Sequence, residues 1–188
     1  FIQKGMTGAR MQEIADKANI NKALLHYYYR SKEKLFMAVF KYAFTKVIPK
    51  IEKEISTATT FEVKIRLFIE NYMDILLKHP YIPLFIMQEI NRNPDELYKV
   101  VMDSGVKPKE LFSFVQSEIN KGRIKPVDPH TLIINMLSLC IFPVAAKPLL
   151  QRIFFNNNEK AYKEFLNIRV GLVTEMILAD LKNIPLSE

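Results

Sequence analysis

Apolar residues recur at helical spacing along most of the chain, and proline rather than glycine breaks the runs. Met11, Ile14, Ala15 and Ala18 keep the i, i+3, i+4, i+7 rhythm of one helix face. Phe61, Ile65, Phe68, Ile69, Tyr72, Met73 and Leu76 do the same, as do Ala161, Phe165, Ile168, Leu172, Val173, Met176 and Ile177. Pro80, Pro83, Pro94, Pro108, Pro126 and Pro129 mark the gaps. No Asn-Gly or Asp-Gly turn flanked by alternating residues offers a hairpin. The pattern predicts an all-α chain. Its helices are expected at about 11–18, 22–29, 61–78, 82–92, 94–103, 107–121, 129–148 and 158–182. A further helix is expected to follow a Ser31 cap, bury Leu35, Phe36, Val39, Phe40 and Ala43, and end or bend at Pro49.

Charge is informative by position. Residues 1–50 hold ten Lys or Arg against Glu13, Asp16 and Glu33, leaving 17 basic and 17 acidic residues in 51–188. The whole formal excess of +7 therefore lies in the first quarter, which points to a polyanion at that end. With 49% hydrophobic residues the chain can bury a sizeable core. Cys140 is the only cysteine, so an internal disulfide is impossible and a cysteine-based metal site lacks partners. No signal peptide and no uninterrupted apolar run of membrane-spanning length is visible, so a cytoplasmic location without membrane partners is expected. Ile2-Gln3-Lys4-Gly5 reads as the end of a helix with a glycine stop, most of that helix lying upstream.

Within the basic segment, Arg10–Tyr29 reads as two helices joined by Asn19-Ile20-Asn21. A tight turn between helices needs one residue at positive φ, and asparagine is the best choice after glycine. Asn19 stands there, Ile20 is expected to plug the angle between the helices, and Asn21 is placed to cap the second. This is the grammar of helix-turn-helix. On a helical wheel anchored at Leu25, Tyr28 and Tyr29 lean inward, Ala23 and Tyr27 face away, and Leu24 and His26 flank that outer face. Small Ala23 permits close approach to base edges, Tyr27 can donate a hydrogen bond, and Leu24 suits a thymine methyl. Lys22, Arg10, Lys32 and Lys34 are candidate phosphate contacts, which position a protein without reading sequence.

The run from Ile14 to Leu35, with its Ile14-Ala15, Asn19-Ile20-Asn21, Tyr27-Tyr28-Tyr29 and Ser31-Lys32-Glu33 signatures, resembles the head of the tetracycline-repressor (TetR) family over about residues 1–40. Asn19 and Ala23 stand where the family pattern has glycine, Tyr29 where it has phenylalanine, and Ala9-Arg10 where it often has Thr or Ser. The resemblance implies a three-helix DNA-binding head, here residues 1–46 with the first helix largely missing, on a helical body at 47–188. That body would bind a small effector and dimerise through its last two long helices. By motif position Lys22, Ala23, His26, Tyr27, Tyr28 and Lys32 inherit DNA contacts, and for Tyr28 the family role and the wheel disagree.

In the body, Phe68, Tyr72, Phe85, Gln88, Phe114, Asn135 and Met136 are candidate pocket residues, Met and aromatics suiting a permissive apolar cavity. Asn71 is a further polar candidate. Thr131–Phe142 is apolar almost all round, so both of its sides need covering. Leu139, Phe142, Phe165, Ile168, Leu172 and Met176 are candidates for a twofold four-helix seam. No Ser/His/Asp order, phosphate-cradling glycine loop or His-Glu-x-x-His pair suggests an enzyme, and His79 and His130 lack metal-ligand partners. No cofactor or metal is expected. The reading is a repressor released from a palindromic operator by a small apolar effector. Its rivals are a small-molecule-processing enzyme and a helical adaptor using its basic head on anionic lipid.

Overall fold

The computed structural model describes residues 8–182, and the helix end expected at residues 2–5 lies outside them. Among the described residues there are ten helices and no strand. They are α1 (Met11–Lys17), α2 (Lys22–Tyr29), α3 (Lys32–Thr57), α4 (Phe61–Lys78), α5 (Ile82–Arg92), α6 (Pro94–Asp103), α7 (Pro108–Asn120), α8 (Pro129–Ala145), α9 (Lys147–Phe155) and α10 (Glu159–Leu181).

The chain divides into two compact units: residues 1–50 with 81–106, and residues 51–80 with 107–188. The first thus contains α5 and α6, beyond the boundary at 46/47 suggested by the sequence. The reason is an aromatic cluster that no local periodicity encodes. Phe36, Met37 and Phe40 of α3 pack with Phe85, Leu97 and Val100 of α5 and α6, and the Phe36 and Phe85 rings lie 4.3 Å apart. Lys41 and Asp103 add an ion pair at 2.6 Å. Val39, expected inside, is exposed, and Met37 takes the buried place. A smaller cluster of Ala15, Leu25 and Leu35, with Met11, Ile14 and Tyr29 against it, joins α1, α2 and the start of α3.

Pro49 does not end α3, which continues to Thr57. Proline removes one ladder bond, here to the carbonyl of Thr45. Pro49 is exposed and Thr45 is half-buried, so water can take that carbonyl.

In the second unit α4 packs against α8 and α10, with α7 laid on α8. Ile69, Met73, Leu76, Cys140, Tyr162 and Val173 are nearly or fully inaccessible. Burial raises the Cys140 thiol to about 11, so it stays a protonated packing group at neutral pH. The helix expected at 129–148 breaks at Ala146, and α9 is a separate helix not foreseen from the sequence. Pro143 cannot donate to Leu139, and the break strips the Pro143 carbonyl of its helical partner. Two side chains of α10 answer both deficits. Arg169 Nε donates to the Leu139 carbonyl at 3.1 Å, and the buried Tyr162 hydroxyl donates to the Pro143 carbonyl at 2.6 Å.

Among the described residues no single helix is long and apolar enough to cross a membrane. The pair α8–α9 passes on length and composition together but is bent by 75°.

Candidate nucleic-acid interface

The turn between α1 and α2 is built as the sequence grammar predicts. Asn19 adopts φ 53°. The Ile20 N–H reaches back to the Ala15 carbonyl at 3.0 Å and the Asn19 N–H to the Asp16 carbonyl at 3.1 Å. This is the Schellman stop, in which a left-handed residue lets two backbone donors satisfy the last carbonyls of a helix. Asn21 then caps α2, its Oδ1 accepting the Ala23 N–H at 2.8 Å. Ile20 is less of a plug than expected, being 38% exposed, because the hydrogen-bonded stop already sets the turn. Ala18, at the end of the apolar rhythm of α1, is also exposed.

Leu25 is the one fully buried side chain of α2. Around it, Lys22, Ala23, Leu24, His26, Tyr27 and Tyr28 are all exposed, and Tyr29 is half-buried. Tyr27 is 77% and Leu24 46% exposed. Tyr28 is 69% exposed, so the inward lean read from the wheel is corrected in favour of the outward placement. Its ring stands edge-on to Tyr27 with centroids 5.4 Å apart, each tyrosine supporting the other outside the core. Arg10, preceding α1 in extended backbone, is exposed and supplies no side-chain cap. Lys32 is half-buried at the start of α3.

Ser31 caps α3 as expected, its Oγ accepting the Lys34 N–H at 3.2 Å. The Glu33 carboxyl is held below the usual carboxylate range, first by its own backbone N–H, then by the Ser31 hydroxyl, with Arg92 and Lys32 adding to the effect. Between α2 and α3 sits Arg30 at φ 58° and ψ −36°, a residue the wheel did not single out because the regular helix stops at Tyr29.

Residues 1–39 match the model of the bacterial regulatory proteins of the tetR family. Over these residues the chain is similar to that family. It is 24% identical over 168 residues to YttP of Bacillus subtilis (strain 168), named a probable HTH-type transcriptional regulator, covering 86% of this chain and 80% of that protein. It is 26% identical over 137 residues to the HTH-type transcriptional regulator RutR of Escherichia coli (strain K12). That match covers 71% of this chain but only 63% of RutR, less than two thirds of its length. The fold is that of the transcriptional regulator FadR from Bacillus subtilis, solved in complex with stearoyl-CoA: TM-score 0.69 at 14% identity, covering 96% and 93% of the two chains.

The body candidates are less unified. Phe85 lies in the aromatic core of the first unit, and Gln88, also of that unit, is exposed. In the second unit, Phe68 stacks on Tyr72 with centroids 5.9 Å apart and Met136 is buried in the same core. Burial pushes the Tyr72 hydroxyl well above its usual range. Phe114 stacks instead on Phe61, and Asn135 faces solvent. Asn71 spends its amide on the Leu67 carbonyl at 2.9 Å. Helical periodicity names an apolar stripe but not which of its members meet. A hollow of about 480 Å³ lies elsewhere in this unit, lined by residues including Phe61, Arg66, Arg123, Glu175, Leu178 and Lys182.

Of the seam candidates, Phe142, Ile168, Leu172 and Met176 are exposed, whereas Leu139 and Phe165 are half-buried against the core. Ile134 of α8 and Leu149, Ile153 and Phe154 of α9 are exposed as well.

Proposed function

We propose that the chain is one protomer of a dimeric, non-enzymatic repressor that binds an inverted-repeat operator through α2 and leaves it when a small apolar effector occupies the body. Ala23, Leu24, His26 and Tyr27 face the bases, while Lys22, Arg10, Lys32 and the Tyr28 hydroxyl grip phosphates. The observation that carries the reading is the capped, outward α2, which leaves a leucine and two tyrosines to solvent within the most basic stretch of the chain. A protein gains nothing in stability by exposing such side chains, and a DNA groove would cover them.

The dimer rests on a second exposed surface. Isolated apolar residues on a surface are ordinary, but large groups sharing neighbouring helices mark an interface. A stable interface covers about 800 Å² per partner, and the outward residues of α8 and α10, extended by α9, suit a twofold seam. Two heads would then meet half-sites about one helical turn apart, or a multiple of that spacing. The Phe68, Tyr72 and Met136 group supports an apolar effector. Such a ligand would act by its different affinity for operator-bound and free arrangements of the dimer.

Selection from random duplexes tests the reading and is expected to return a two-part inverted repeat. Enrichment of no sequence would overturn it. Against the selected site, Tyr27→Ala is expected to relax base preference. Lys32→Ala is expected to weaken binding to all sequences alike and to flatten its salt dependence.

A further inference from the structure

Four non-glycine residues among those described have positive φ: Asn19, Arg30, Asn156 and Asn157. Three are asparagine, the side chain that tolerates this region best after glycine. Arg30 is the exception, and its conformation differs from the left-handed helical one of Asn156. At φ 58° and ψ −36° it lies outside the left-handed helical well. The Ser31 N–H closes onto the Tyr29 carbonyl at 2.6 Å, making Arg30 the centre of a three-residue turn of the rare, strained hand. Backbone strain of this kind persists where a side chain has a task there.

The position of Arg30 suggests the task. Its N–H still donates to the His26 carbonyl at 2.8 Å, so its Cα remains on the path of α2. It follows His26 by four residues and Tyr27 by three, on the same strip of helix surface. The guanidinium is exposed and has no hydrogen-bond or ion-pair partner among the described residues. The nearest acid in sequence, Glu33, is engaged by its own backbone N–H and by the Ser31 hydroxyl. An uncompensated guanidinium at the end of an outward helix suits an anionic group that offers two oxygens to its parallel N–H donors, as a phosphate does.

We propose that Arg30 is a further DNA contact, binding a backbone phosphate at the end of α2 and so setting how that helix sits in the groove. The inference rests on the DNA-binding reading above and adds a residue to it. Asparagine or glycine at 30 would suit the backbone better than arginine, so the residue trades folding stability for binding.

The test compares wild type with Arg30→Asn, Arg30→Gly and Arg30→Lys in the full chain, using the selected duplex and a random-sequence duplex over a range of salt. For Arg30→Asn and Arg30→Gly the thermal midpoint is expected to stay level or rise while affinity for both duplexes falls. The slope of log affinity against log salt should shrink by about 0.9 for each phosphate left without its arginine, and by twice that for a dimer. Arg30→Lys should keep the wild-type slope. Wild-type affinity in Arg30→Asn, a fall in affinity with an unchanged slope, or a lowered midpoint in both Asn and Gly variants would each overturn the proposal. If wild type itself binds no duplex, the interface reading fails and takes this inference with it; if wild type binds and Arg30→Asn matches it, only the role of Arg30 falls.

Discussion

At Asn19 and Asn21 two neighbouring asparagines do different work. Asn19 supplies a left-handed backbone and Asn21 an acceptor for a helix N–H that nothing else in the helix can satisfy. Asn21→Ala is expected to cost about 1 kcal/mol of stability, measurable by chemical denaturation. Asn19→Gly should be neutral or stabilising, whereas Asn19→Val should destabilise, a β-branched residue being strained at positive φ. Asp128 offers a pH test of the same capping chemistry in the body. Its carboxylate accepts from the Thr131 N–H at 2.9 Å and the Thr131 hydroxyl at 2.8 Å, and lies 3.0 Å from His130 Nδ1. His130 and Thr131 hold its pKa below the ordinary value. A depressed carboxylate pKa stabilises the fold fully above the unfolded value of about 3.9, and that contribution is lost as pH falls through the folded value. The melting temperature of wild type should therefore exceed that of Asp128→Asn at pH 6, and the gap should close towards pH 2.

Between elements, the packing of α8 on α10 shows how a broken helix is tolerated in a core. Pro143 and the kink after it orphan two carbonyls, and α10 carries one donor for each, seven residues apart. Tyr162→Phe keeps the ring packing against Phe155 and Phe165 but leaves the Pro143 carbonyl buried without a partner. The expected cost is about 1–3 kcal/mol, read from the denaturation midpoint. Arg169→Leu should cost less, since its carbonyl partner is only part-buried. In the first unit the Phe36, Phe40 and Phe85 rings tie α5 to α3. Phe85→Ala is expected to cost about 3–5 kcal/mol by cavity formation, and its effect should be on folding before it is on DNA.

For the whole molecule, the dimer reading makes the sharpest prediction. Ile168→Glu with Met176→Glu adds charge to the exposed face of α10 without touching the monomer core, so the double variant should stay folded and sediment as a monomer. Its operator affinity should fall steeply, because one head reaches only one half-site. A folded double variant that still sediments as a dimer would place the seam elsewhere. The all-helical class, most helix boundaries, the Asn19 turn and the Asn21 cap were legible in the chain, because periodicity, proline spacing and caps are local properties that act within a few residues. The outward strip of α2 was legible except at Tyr28, where a wheel gives direction but not whether any neighbour arrives to cover the ring. What depended on distant residues was not legible: α5 and α6 belonging with the first unit, Phe85 in that unit's core, the separate α9, and the rescue of α8 by Tyr162 and Arg169. Those outcomes were decided by which surfaces exclude water together and which polar groups pair when they do, and both quantities exist only once the chain has folded in three dimensions.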